Sequence, residues 1–220
     1  MGGLWVKIAA GYAWACARFR FDVLLRMDTD ALILGPGIED AALRRFEERP
    51  GIGLLGSFRT GPDGGARDFT WAGKTLRREA GLLGWRYPRL RSRLRALMRE
   101  VEGSGYTPGD HGLGGAFIHS AEAVRDLSSR GIFDLPEMAA SSLGEDIIFA
   151  LLTVAAGFQI GDFGGPGEPL ALRWLGLPDH PDALLTGSAL ITHSVRSYRD
   201  RDEVAIRARF AEARRGRGVS

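Results

Sequence analysis

The sequence has a single cysteine, Cys16, so no disulfide bond can form within the chain. This favours a reducing compartment, and we expect the protein to be cytoplasmic. The longest strongly apolar run, 147–158, is too short for a transmembrane helix. A secretion signal is not expected either, because no basic residue precedes the apolar stretch 4–17 and Lys7 interrupts it.

Lysine is almost absent, since 27 of the 29 basic residues are arginine, and the net charge is only +2. With 45% hydrophobic and 25% charged residues, the composition is that of a globular domain and excludes a disordered chain. The arginines are concentrated in 77–99 and 207–217. One interpretation is that these arginines form solvated helix surfaces. The other is that they bind phosphate groups, either of anionic lipid at the inner membrane face or of a phosphorylated acceptor. No nucleic-acid partner is expected, because no basic stripe interleaved with aromatic residues is present.

Hydrophobic periodicity predicts an α/β fold in which helices alternate with short buried strands. Helices are predicted at 4–19, 38–49, 121–130 and 202–215, and another opens at 142–145 and runs through the apolar residues 147–156. A basic helical stretch is predicted at 74–102, and Pro88 must break or kink it. The predicted strands span 21–27, 31–34, 52–56, 113–119, 159–163 and 189–192. The glycine-rich segment 59–73 is predicted to be a loop too polar to lie inside a core.

An acidic pair follows the first predicted strand. The apolar run 21–27 is typical of a strand in a buried parallel sheet, and Asp28 and Asp30 come directly after it. Open α/β sheets place ligand-binding groups at the carboxyl ends of their strands. Two carboxylates so close together repel each other, and Mg²⁺ or Mn²⁺, which also binds diphosphates, would neutralise that charge. The alternative is a pair of solvated aspartates in a turn.

A second acidic pair, Glu145 and Asp146, begins the apolar helix. The spacing from Ser142 to Glu145 is that of a capping box, in which the glutamate accepts a hydrogen bond from a free backbone amide. Asp146 in the first turn would interact favourably with the helix dipole.

Four segments in order along the chain resemble motifs of the GT-A glycosyltransferases and cover about residues 4–196. The strand and D-x-D sequence 21–31, preceded by a helix with Lys7, is similar to the metal-binding motif of that family. The segment 114–118, followed by Ser120 and a helix, is similar to the strand beneath the donor sugar. The pair Glu145-Asp146, followed by 157–160, resembles the glutamate-aspartate motif of the family. The segment Ile191-Thr192-His193-Ser194 resembles its late strand, which carries a metal-binding histidine.

The resemblance implies a partial GT-A fold, a Rossmann-like mixed sheet flanked by helices, and an inverting, metal-dependent glycosyltransferase. Mn²⁺ or Mg²⁺ would bind the diphosphate of a nucleotide sugar, with a UDP-sugar as the expected donor. Asp146 would take a proton from a hydroxyl of a carbohydrate or lipid-linked acceptor, and Glu145 is the alternative base. The implied metal ligands are Asp28, Asp30 and His193, and the residues expected to bind the donor are Gly114, Gly115, Arg26 and Lys7.

The resemblance assigns 1–200 to a GT-A-like domain with a basic helical insertion at about 74–102, and 201–220 to a basic C-terminal helix and tail. Only 27 residues precede Asp28, where these enzymes have further strands that bind the nucleoside, so most of that half is expected to be absent. We therefore expect weak, metal-dependent nucleotide binding with little preference among bases. We also expect an exposed sheet edge that invites a partner chain.

Two alternatives remain open from the sequence. The chain is either a non-catalytic GT-A-like module that binds carbohydrate or a partner, or a haloacid-dehalogenase-type phosphohydrolase. The second alternative arises because Asp28 and Asp30 after a buried strand also resemble the nucleophile motif of that family. Neither a convincing phosphate-binding lysine nor a late acidic pair appears where phosphohydrolase chemistry needs it, which favours the glycosyltransferase.

Overall fold

The computed structural model describes residues 2–216, which contain eight α-helices and nine strands. The helices are α1 (Gly2–Arg18), α2 (Ile38–Glu48), α3 (Thr70–Ala80), α4 (Pro88–Glu100), α5 (Ala121–Ser129), α6 (Glu145–Ala155), α7 (Pro181–Thr186) and α8 (Glu203–Gly216). The strands are β1 (Val23–Met27), β2 (Ala31–Ile33), β3 (Ile52–Gly56), β4 (Ala116–Ser120), β5 (Gln159–Asp162), β6 (Leu170–Leu172), β7 (Ile191–His193), β8 (Ser197–Tyr198) and β9 (Arg201–Asp202). The predicted α/β class is confirmed, with mixed sheets flanked by helices.

The main sheet has four strands in the order β1-β4-β3-β5. β4 runs antiparallel to β1 and β3, and β3 runs parallel to β5. The prediction that 21–27 belongs to a parallel sheet is wrong, because β4 is the only described strand that pairs with β1. The apolar run exists because both faces of β1 are covered, with Leu24 packed in one core and Leu25 in the other. Burial on both faces produces the same pattern whichever way the neighbouring strand runs.

Helices cover both faces of this sheet. On one face, α1, α4, α5 and α6 pack together in a core that contains Phe149 and Leu94. On the other face lie α2 and a second sheet of order β2-β7-β6. In that second sheet β2 pairs with β7 so that Ala31 lies opposite His193. The chain therefore passes from the first sheet to the second between β1 and β2.

The basic segment predicted at 74–102 is part of the main core. It consists of α3, a 3-10 helix at Leu82–Arg86 and α4, and Leu76 of α3 and Leu97 of α4 are buried in the same core as α6. The predicted break at Pro88 is confirmed, since this proline is the first residue of α4. The helix α3 begins at Thr70, inside the predicted loop 59–73, so the predicted boundary of that loop is wrong.

The remaining differences concern short elements and the C-terminal end. The short strand β6 and the short helix α7 have no counterpart among the predicted elements. The predicted final helix agrees with α8, while residues 217–220 of the predicted tail lie outside the described residues. None of the helices between residues 2 and 216 combines the length and the apolar character needed to cross a bilayer.

Candidate metal centre and carboxylate pair

The acidic pair Asp28 and Asp30 lies in the link between β1 and β2, where the chain changes sheets. The amide of Asp28 donates a 3.0 Å hydrogen bond to the carbonyl oxygen of Gly115, which precedes β4. The amide of Val195 donates a 3.0 Å hydrogen bond to the carbonyl oxygen of Asp30. Backbone hydrogen bonds thus hold each aspartate against a different predicted motif segment.

Three side chains converge at this link. Nε2 of His193 lies 3.3 Å from Oδ1 of Asp30 and 3.7 Å from Oδ2 of Asp28. Each of the three residues offers a metal-ligating atom within 4.8 Å of the others. Asp30 and His193 are buried, whereas 36% of the Asp28 side chain is exposed. The cluster is therefore open to solvent on the Asp28 side.

The second carboxylate oxygen of each aspartate is held by protein donors. Nη2 of Arg26 forms an ion pair with Oδ1 of Asp28 at 2.7 Å. The hydroxyl of Ser194 donates a hydrogen bond to Oδ2 of Asp30 at 2.7 Å, and Nε of Arg196 forms an ion pair with the same oxygen at 2.7 Å. These contacts fix both carboxylates so that their remaining oxygens, Oδ2 of Asp28 and Oδ1 of Asp30, face His193.

The ring of His193 is oriented from behind. Its Nδ1 lies 2.7 Å from the carbonyl oxygen of Arg173. Because a carbonyl oxygen only accepts hydrogen bonds, Nδ1 carries a proton, and Nε2 is the atom left to bind a cation. Gly115 packs so closely against this ring that a Cβ at that position would overlap it. Such outer contacts are the usual means of orienting a metal-binding histidine.

The donor set fits a divalent cation. Burial acts to raise the pKa of Asp30, but the hydrogen bond from Ser194 and the charges of His193 and Arg196 hold that pKa below its ordinary value. Asp30 is therefore ionised at neutral pH. Two carboxylate oxygens and one imidazole nitrogen, each fixed by a second contact, could together hold a metal ion.

A glycine pair separates this cluster from the second acidic pair. Gly115 contacts His193, while a Cβ at Gly114 would lie 3.0 Å from Oδ2 of Asp146 and 3.2 Å from Oε1 of Glu145. Side chains at these two positions would fill the space between the carboxylates and the histidine. The predicted donor-binding glycines thus lie between the two predicted functional groups.

Arg26 links the two acidic groups directly. Its Nη2 lies 2.7 Å from Oδ1 of Asp28 and 2.6 Å from Oε1 of Glu145, and only 7% of its side chain is exposed. Its Nη1 is buried and has no hydrogen-bond partner among the described residues. Burial, with the nearby charge of Asp146, raises the pKa of Glu145 to about 7, although Arg26 opposes that shift.

The predicted capping box is wrong. Gly144 is the N-cap of α6, and no side chain caps that helix. Ser142 instead hydrogen-bonds to Glu79, and Arg78 donates to the Ser142 hydroxyl. The carboxylate of Glu145 accepts a hydrogen bond from the charged guanidinium of Arg26 instead of one from a backbone amide at the helix start. The alternative structural role for Glu145 is thereby removed.

Asp146 has one carboxylate oxygen occupied and one available. Oδ1 accepts a 2.9 Å hydrogen bond from the amide of Ile147. Oδ2 accepts no hydrogen bond from the described residues, and its nearest basic group is Nε2 of His111 at 3.8 Å. Burial raises the pKa of Asp146, against the effects of the Ile147 amide, Arg67 and Arg26. A raised pKa and an available oxygen are suited to a general base.

His111 is neutral and forms no ion pair with Asp146. Its Nδ1 donates to the carbonyl oxygen of Gly109 at 2.7 Å, and its Nε2 accepts from Nη2 of Arg67 at 3.2 Å. Burial, together with the charge of Arg67, lowers the pKa of His111 to about 4. Arg67 also donates to the carbonyl oxygens of Ser57, Phe58 and His111. This network forms the wall of the site beside Asp146.

The structure does not bring every predicted residue to the site. Lys7 is exposed on α1, while the buried residues Trp5 and Tyr12 lie on the opposite side of that helix. Conversely, the site includes three residues that were not predicted, Arg67, His111 and Arg196, and Ser194, which belongs to a predicted motif but had no predicted role. Ser194 and Arg196 could have been found from their proximity to His193 in sequence. Arg67 lies in a glycine-rich loop, and no local pattern marks it.

Comparisons of the chain with protein-family models, with curated proteins and with solved structures found no match. Function must therefore be inferred from the chemistry of the site.

Proposed function

We propose that this chain is a metal-dependent glycosyltransferase that moves a sugar from a nucleoside-diphosphate donor, expected to be a UDP-sugar, to an acceptor hydroxyl with inversion. The observation that carries the proposal is the convergence of Asp28, Asp30 and His193 within 4.8 Å. The second acidic pair supports it, because Arg26 contacts both Glu145 and Asp28, and the glycine pair lies against Asp146, Glu145 and His193.

Asp28, Asp30 and His193 would hold Mn²⁺ or Mg²⁺. When bound, the cation would stabilise the negative charge that grows on the leaving diphosphate as the bond to the sugar breaks. Arg26 positions Asp28, and Ser194 and Arg196 position Asp30, so the ligands need little rearrangement.

Asp146 would act as the general base. Its Oδ2, which accepts no hydrogen bond from the described residues, would take the proton of the acceptor hydroxyl. The hydroxyl oxygen then forms a bond to the anomeric carbon while the bond from that carbon to the diphosphate oxygen breaks. Attack from the face opposite the leaving group inverts that carbon. The neutral His111 adds no positive charge next to Asp146 that would lower its basicity.

The phosphohydrolase alternative is less well supported. It requires a carboxylate oxygen of Asp28 that can attack phosphorus. Here Oδ1 of Asp28 is bound to Arg26, and Oδ2 faces Nε2 of His193. In a metal centre of the glycosyltransferase type, by contrast, His193 would serve as a ligand, and the carbonyl oxygen of Arg173 orients its ring for that role.

Release of nucleoside diphosphate from a panel of nucleotide sugars tests the proposal. The chain is incubated with each donor and Mn²⁺ or Mg²⁺, with and without a chelator. We expect release that requires the metal, disappears in Asp28→Asn and persists in Asp22→Asn, which changes an exposed aspartate outside the cluster. Carbohydrate binding without release from any donor would contradict the proposal in favour of a non-catalytic module. Metal-dependent hydrolysis of simple phosphate esters would favour the phosphohydrolase.

A further inference from the structure

The 3-10 helix at Leu82–Arg86 between α3 and α4 presents apolar side chains to solvent. Leu82 is 80% exposed, Leu83 is 74% exposed and Trp85 is 72% exposed. They belong to one short turn at the end of a helical hairpin, and none of them contributes to the cores of the described residues. Neighbouring exposed side chains of this size are costly in water and mark an interaction surface.

Positive charge surrounds this turn. Residues 74–99 contain nine basic residues and one acidic residue, Glu79. Glu79 accepts hydrogen bonds from the hydroxyls of Ser141 and Ser142, and Arg93 is paired with Glu137. The side chains of two exposed arginines next to the apolar residues, Arg86 and Arg89, form no hydrogen bond or ion pair with the described residues.

We propose that the turn Leu82–Tyr87 docks the protein on the surface of an anionic lipid bilayer. Leucine and tryptophan side chains enter the boundary between headgroups and acyl chains, where the amphipathic indole is favoured. Arg86 and Arg89 then bind lipid phosphates, which guanidinium groups hold in pairs. The charges of Arg86 and Arg89, which have no acidic partner among the described residues, select an anionic bilayer over a neutral one.

Co-sedimentation with vesicles tests the docking and requires no enzymatic activity. Vesicles of phosphatidylcholine alone are compared with vesicles that also contain phosphatidylglycerol, at low and at high salt. We expect binding to the anionic vesicles only, weakened by salt because the arginine contribution is screened. Trp85→Ala should lower the partition coefficient roughly tenfold or more, the scale for loss of a buried apolar side chain. The double variant Arg86→Glu, Arg89→Glu should remove the preference for anionic lipid.

The matched control is Trp174→Ala, which removes a tryptophan that is 76% exposed but lies far along the chain from the basic segment. It should bind anionic vesicles like the unchanged protein. Equal binding to both kinds of vesicle, or an unchanged partition coefficient in Trp85→Ala, would overturn the proposal. If the protein binds no vesicle but binds an acidic polypeptide, the proposal is also overturned, and an acidic protein is identified as the partner. None of these results bears on glycosyl transfer, which is measured separately.

Discussion

The hydroxyl of Ser194 donates a 2.7 Å hydrogen bond to Oδ2 of Asp30, although 164 positions separate them in the sequence. This contact holds the Asp30 carboxylate so that its other oxygen faces Nε2 of His193. It depends on the pairing of β2 with β7, which places Ala31 opposite His193. The second sheet therefore assembles the candidate metal centre from the two ends of the chain.

Gly115→Ala should abolish metal binding while the chain still folds. A Cβ at position 115 would overlap the ring of His193 and push it away from Asp28 and Asp30. The metal-dependent rise in melting temperature measures the effect. Gly35→Ala is the control, because a Cβ there would meet only Leu190, at 4.0 Å, and it should keep the full rise. A normal metal response in folded Gly115→Ala would mean that His193 is not a ligand.

Asp146→Asn should lower turnover roughly a hundredfold or more, the usual scale for removing a general base. The change keeps the size of the side chain and its contact with the Ile147 amide, so metal and donor binding should hardly change. Steady-state kinetics with metal and donor in excess provide the measurement.

Glu145→Gln is the matched comparison for the base. Glu145 is held by Arg26, and the amide oxygen of glutamine can still accept that hydrogen bond, so the loss of turnover should be much smaller. If Glu145→Gln is the more damaging change while both variants are folded and bind metal, Glu145 is the base instead of Asp146.

The stability of the metal-free protein should depend on the ionisation of Glu145. Burial and Asp146 raise its pKa from 4.5 to about 7. The resulting contribution to the free energy of unfolding is fully present below about pH 4.5 and is lost as the pH rises through about 7. A shift of this size corresponds to about 3 kcal/mol. The glutamine of the Glu145→Gln variant cannot ionise. The unfolding free energy of this variant minus that of the unchanged protein should therefore increase by about that amount between pH 4.5 and pH 8.

Urea denaturation at both pH values gives this difference. The control is Glu39→Gln, which makes the same substitution at an exposed glutamate on α2. A difference for Glu145→Gln that stays constant from acidic to alkaline pH would show that Glu145 ionises as freely in the folded chain as in the unfolded one.

Much of the candidate site follows from short-range patterns. An apolar strand that ends in Asp28-Thr29-Asp30 locates two candidate metal ligands, and a histidine at the end of a late strand locates the third candidate. The glycine pair and the acidic pair at the start of α6 are also visible as local motifs. The structure places these segments side by side.

Other parts of the site depend on contacts between distant segments. The spacing of Ser142 and Glu145 is that of a capping box, but no capping box forms. Arg26, 119 positions away in the sequence, donates a hydrogen bond to the Glu145 carboxylate instead. Arg67 likewise acts through carbonyl oxygens that only the folded chain brings together. The direction of β1 pairing was mispredicted for a similar reason, since burial on both faces does not reveal which strand is the neighbour.

The melting temperature as a function of Mn²⁺ concentration tests most directly whether Asp28, Asp30 and His193 form a metal centre. A ligand that binds only the folded chain stabilises it, and Mn²⁺ at about a hundred times its dissociation constant should raise the melting temperature by roughly 5–10 °C. We expect this rise in the unchanged protein and in Asp22→Asn, and its loss in Asp28→Asn and Asp30→Asn. An equal rise in Asp30→Asn and the unchanged protein, or no rise in the unchanged protein, would contradict the account.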